Sequence, residues 1–147
     1  MTAARWVGWI GGIALVALAS GGGAGEWGLQ GLDRVAVGVE TRGPVDPVDV
    51  EVEVLRTLRA LGVAADPGAP ALLRVEVSRQ GNLSFAGMVL EQGVCLERDP
   101  LVCARVPTWA ATLAARGEAG LPGSPEEGLR ELLGRLEEAW ERANPRP

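Results

Sequence analysis

The chain contains no lysine, histidine or tyrosine, and all fourteen of its basic residues are arginine. Each absence removes a piece of chemistry. Without imidazole there is no Ser-His-Asp or Cys-His activation of a nucleophile and no histidine ligand for a metal. Without a lysine ammonium there is no Schiff base and no P-loop lysine. An enzyme made from this sequence would have to run on Asp, Glu, Arg, Cys, Ser or Thr. Positive charge is also in short supply, because 14 basic residues face 19 acidic ones and the net charge is −5. Nucleic-acid binding needs clustered positive charge to meet phosphates, so that partner class is disfavoured.

A long hydrophobic run is missing as well. The uncharged stretch Trp6 to Ala19 follows a single positive charge at Arg5 and ends in Ala17-Leu18-Ala19. At about 14 residues it is shorter than the roughly 20 that cross a bilayer as a helix. This order of basic, apolar and small residues is that of a secretory signal. The expected organisation is a signal peptide over 1–19, a Gly-rich spacer over 20–30 and a single domain over 31–147; an uncleaved anchor is the alternative. No cysteine follows the apolar run, so a lipidated N-terminus is not expected. Export into an oxidising compartment makes a disulfide the first reading of the two cysteines, Cys95 and Cys103.

What is present suffices for a packed core, with 47% apolar and 22% charged residues. Leu32 to Glu40 alternates Val35, Val37 and Val39 with smaller residues and reads as a strand. The segment Val48 to Val54 alternates too, but its flanks favour a helix from Pro47 to Leu61. Asp46 is an N-cap residue, Pro47 suits the first helical position, and Gly62-Val63 supplies a left-handed stop with an apolar residue behind it. Ala71 to Arg79 alternates again, and Gln80-Gly81-Asn82 makes a turn. Two longer β-like runs, Ser84 to Glu97 and Leu101 to Ala115, are joined by Arg98-Asp99-Pro100. Ser124-Pro125-Glu126-Glu127 then opens a helix whose apolar stripe runs through Leu129, Leu132, Leu133, Leu136, Ala139 and Trp140. The order β-α-β-β-β-α predicts a two-layer α+β sandwich, a mostly antiparallel sheet with both helices on one face.

If the second hairpin turns at Asp99, cross-strand partners have numbers summing to 198, so Cys95 faces Cys103 and Leu96 faces Val102. Directly opposed Cβ atoms lie about 4.5 to 5.5 Å apart, near disulfide reach, and closing so short a ring contributes about 2 to 3 kcal/mol before strain. Free thiols are the alternative. A redox pair would call for C-x-x-C at a helix start, and zinc for two further soft ligands. The same register assigns Leu90, Val94, Leu96, Val102 and Val106 to the core face. Phe85, Val89, Trp109 and Leu113 fall on the cysteine face, as a candidate partner surface, unless Pro107 introduces a bulge that switches the register.

Other groupings have plainer explanations. Asp46, Asp49, Glu51 and Glu53 lack calcium-loop spacing and suit a helix cap and a solvated face. Glu91 and Glu97 are a conceivable acid-base pair, with no sign in the sequence of a cleft to tune them.

From about Gly31 to Pro145 the chain resembles a group of small exported bacterial proteins of unassigned function. The carrying residues are Gly31-Leu32 before VAVGVE, Glu53, Leu55, Arg56 and Gly62-Val63, Pro70 before ALLRVEV, Leu96 through Pro100, Thr108-Trp109, and Ala143-Asn144-Pro145. The layout is also similar to the N-terminal domain of TolB-type periplasmic proteins. Such domains act through protein contacts, so the resemblance implies a non-enzymatic, exported or periplasmic interaction domain binding another envelope protein, with no cofactor. The cysteine pair is not part of that pattern. A small-ligand or lipid carrier and a carboxylate-dependent hydrolase are the alternatives.

Overall fold

The computed structural model describes residues 27–116 and 124–147. The expected signal peptide and residues 20–26 of the spacer lie outside the described residues. After a short 3-10 turn, Trp27–Leu29, the elements are β1 (Arg34–Arg42), α1 (Pro47–Leu61), β2 (Ala64–Ala65), β3 (Leu72–Gln80), β4 (Leu83–Leu96), β5 (Asp99–Arg116) and α2 (Pro125–Ala143). This is the expected β-α-β-β-β-α order, with the two-residue β2 as an addition.

Both helices form where their caps place them. The Asp46 carboxylate accepts from the Val48 N–H at 2.8 Å, and Pro47 occupies the first turn, where a missing donor costs nothing. At the other end Gly62 is left-handed, with φ 77°, and Val63 N–H bonds Leu58 C=O at 2.9 Å, which returns the buried Val63 side chain to the helix it has just left. In α2, Ser124 Oγ accepts from Glu127 N–H, and Arg135 pairs with Glu131 at 2.8 Å on the exposed side.

The five strands lie in the order β2-β1-β3-β4-β5. Because α1 crosses over between β1 and β3, those two strands run parallel, with Val37 beside Leu73 and Val39 beside Val75. The β3-β4 and β4-β5 pairings are antiparallel hairpins, so the sheet is mixed, antiparallel over its longer strands. Both helices pack on one face. There Val35, Leu73, Val75, Val77, Met88 and Leu90 meet Val54 of α1 and Leu132 of α2, each at most 2% exposed. The opposite face carries no described helix, an arrangement open to antiparallel sheets because one side can remain hydrated.

The N-terminal turn closes one end of this core. Leu29 is fully buried, and Asn144 at the end of α2 binds it on both sides of its own amide. Its Nδ2 donates to Leu29 C=O at 2.9 Å while its Oδ1 accepts from Gly31 N–H at 2.7 Å. Gly28 lies so close to Thr108 that a Cβ would fall on that side chain, which explains a glycine in this turn.

Candidate functional site

The second hairpin obeys the expected register from Glu91↔Pro107 through Cys95↔Cys103 and departs from it at both ends. On the core side Leu90 pairs with Trp109, so β5 carries one extra residue, Thr108. Pro107 lacks the donor that would continue the ladder, and Thr108 is buried with its hydroxyl donating to Leu90 C=O at 3.4 Å. The bulge reverses which side chains face which way. Trp109, Ala111 and Leu113 lie beside Leu90, Met88 and Ala86 on the helical face and pack, partly buried, against the core. Phe85 and Val89 stay on the open face, opposite Ala114 and Ala110. The four residues Phe85, Val89, Trp109 and Leu113 therefore do not form one patch. The first two share the open sheet face, and the second two form the rim of the core.

Toward the turn the departure is larger. Pairing of β3 with β4 stops at Leu72↔Glu91, so Gln92 to Leu96 continue without a β3 neighbour, an overhang of roughly 17 Å at about 3.3 Å per residue. The side assigned to the core by alternation is uncovered there. Leu90 is buried, whereas Val94 and Val106 are half-buried and Leu96 and Val102 are 45% and 50% exposed. Leu96 pairs with Asp99 instead of Val102, and the turn is Glu97-Arg98. Asp99 Oδ1 accepts from Leu101 N–H at 3.3 Å, which holds residues 100–102 out of the ladder and leaves Leu101 95% exposed.

A two-stranded ribbon with no layer over it is marginally stable in water. The Cys95–Cys103 disulfide crosses this ribbon on the open-face side, with Cα atoms 4.0 Å apart, and no described cysteine is free. Its position explains its use, since it clamps a ribbon that the core does not reach. The result is a covalently closed projection that presents Leu96, Leu101 and Val102 to solvent.

Behind the tip the open face changes character from strand to strand. On β4 and β5 it is mostly apolar and low in profile, with Phe85, Val89, Ala110 and Ala114 around Gly87 and Thr112 opposite that glycine. A Cβ on Gly87 would touch the Phe85 ring at 3.2 Å, so the ring lies over the glycine backbone and covers it. On β1 and β3 the same face is charged. Glu40 and Glu76 are register neighbours, Arg42 binds Glu40 at 2.9 Å, and Arg74 approaches Glu91 at 3.8 Å. Partial burial, then repulsion from Glu40, pushes the Glu76 carboxyl above its ordinary value, with Arg42 opposing the shift. The bond to Glu40 holds Arg42 still more firmly protonated.

Glu91 and Glu97 are not brought together. Glu91 lies in β4 and Glu97 in the turn six residues on, roughly 20 Å away along the extended ribbon, beyond the spans of about 5 to 9.5 Å used by paired catalytic carboxylates. Asp46 is occupied as a cap, and no cluster of metal-ligating side chains occurs among the described residues. A cleft of about 200 Å³ lies between the start of α2 and the ends of β4 and β5, below the volume that encloses a typical ligand. A shallower depression of about 430 Å³ lies beside Gln30, Asp33, Arg34 and Gln92. No described helix is long and apolar enough to cross a membrane.

No family model matches the chain, and no curated protein sequence matches it significantly. Solved structures resemble it in part. Lipoprotein GNA1162 from Neisseria meningitidis is 12% identical with a TM-score of 0.43, over 73% of this chain and 96% of that one. The LpoB C-terminal domain from Salmonella enterica is 15% identical with a TM-score of 0.32, over 60% and 85%. A minor lipoprotein from Acinetobacter baumannii is 13% identical with a TM-score of 0.27, over 76% and 90%.

Proposed function

We propose that this chain is an exported, non-enzymatic interaction domain that binds another envelope protein through the clamped hairpin tip and the apolar half of the open sheet face. The observation that carries the proposal is the tip. Three large aliphatic side chains, Leu96, Leu101 and Val102, are exposed on a projection that adds nothing to the core and is nevertheless fixed by a disulfide. Aliphatic groups held rigidly in solvent cost little further entropy on binding, which favours a role in recognition. Phe85 and Val89 offer a second apolar surface on the open face of the same hairpin, the side opposite Leu96 and Val102. The disulfide itself favours an oxidising compartment, in agreement with the signal-like N-terminus.

The test is the double variant Leu101→Asp/Val102→Asp, with Phe85→Ser/Val89→Ser as its companion on the open face. Affinity capture from detergent-solubilised envelope should lose the same partner band with either variant, while the thermal midpoint of the tip variant stays within about 2 °C of the parent. Capture profiles unchanged in both variants would overturn the proposal.

A further inference from the structure

The sheet ends at β5, and no described residue pairs with the outer edge of that strand. Unpaired strand edges attract other strands, and proteins protect them with charges, lysines, prolines, bulges or short length. Protection here lies toward the ends of the strand, with Arg105, Pro107 and the bulge at Thr108 on the tip side and Arg116 at the last position. From Val106 to Ala115 there is no charged residue, in a chain that is 22% charged overall. Moreover the helical layer covers this edge incompletely, because Trp109, Ala111 and Leu113 are only partly buried where the core residues of β3 and β4 are closed.

We propose that β5 pairs antiparallel, along this outer edge, with β5 of a second copy, and that the two-fold axis passes near Ala111. In that register Trp109 of one copy opposes Leu113 of the other, and the apolar rims of both cores cover one another. No like charges meet within the uncharged stretch. A second copy suits the edge better than a disordered segment, because its β5 is already extended and of matching length and has no ordering cost. An antiparallel strand pair is self-complementary under a two-fold axis, so the assembly closes at two subunits and does not propagate through this edge. The tip and the open face stay free in such a dimer, and the inference stands independently of the envelope partner.

Sedimentation of the purified exported protein across 1 to 200 µM tests this directly. A contact confined to one strand pair and its rim is small, so half-association on the order of 10 µM is expected. Ala110→Lys/Ala114→Lys, placed on the open face of the same edge, should weaken association at least tenfold while preserving the thermal transition. Separately, exchange of the outward amides within 109–115 should slow as concentration rises. A monomer throughout the range, a dimer indifferent to both lysines, or edge amides protected equally at every concentration would each overturn the proposal.

Discussion

Breaking the Cys95–Cys103 bridge separates the local role of the clamp from a global one. A sequence separation of 8 closes a ring of residues 95–103, for which the loop-closure relation gives about 2.6 kcal/mol. That figure holds in full only if the reduced native state keeps the tip ordered. The overhang has no β3 neighbour and no helical cover, so without its bridge it regains most of the freedom that the unfolded chain regains, and the two gains largely cancel. We therefore expect the Cys95→Ser/Cys103→Ser double variant to lose less than about 1 kcal/mol of global stability. In a domain of this size that is a fall of about 3 to 5 °C, against about 10 °C for the full entropic term. Circular dichroism melts give the global number. Amide exchange gives the local one, with protection across 93–105 expected to collapse while Val75, Met88 and Leu132 keep theirs. A fall near 10 °C with tip protection intact would mean instead that the ribbon is stable unaided and that the bridge acts through the unfolded chain alone.

Trp109→Ala should cost about 1.5 to 2.5 kcal/mol, roughly half the toll of a fully buried aromatic, and should leave capture of the envelope partner intact; chemical denaturation checks the first and pull-down the second. Glu76→Gln should flatten the pH dependence of stability. The native carboxyl titrates above its ordinary value, so the fold loses stability as pH rises through the interval between the two and carries a fixed penalty above it. Melting temperatures from pH 4 to 8 should then show the variant equal to the parent at the acid end and at least as stable near neutrality. Gly28→Ala drives a methyl into Thr108 and should destabilise by about 1 to 3 kcal/mol, with exchange rising first at Leu29 and Leu32.

Much of the architecture is legible along the chain because it is encoded locally. Asp46-Pro47, Gly62-Val63 and Ser124-Pro125 are chemical statements about where a helix begins or ends, and the structure obeys them. The alternation in β1 and β3 likewise identifies the faces that the helices cover. The cysteine register was legible too, since two residues equidistant from a turn must oppose one another. The turn itself moved to Glu97-Arg98 because Asp99 takes up a local bond to Leu101 and displaces residues 100–102. Alternation assigns Leu96 and Val102 to the core because it records which side of a strand is apolar, not whether anything lies over it. Cover depends on α2 and the Trp27–Leu29 turn ending before the hairpin does, a relation among distant segments. Pro107 announced an irregularity, but only the buried Thr108 shows that the bulge sends Trp109 and Leu113 to the helical face.

The clamped tip is the proposed contact with an envelope partner. Its most direct measurement is site-specific photocrosslinking in the native envelope, with the reactive group placed at Leu101 and, as a control, at Glu51 on the exposed side of α1. One dominant adduct is expected from position 101, lost on reduction of the disulfide and absent from position 51. Equal or absent crosslinking at the two positions would contradict the proposal.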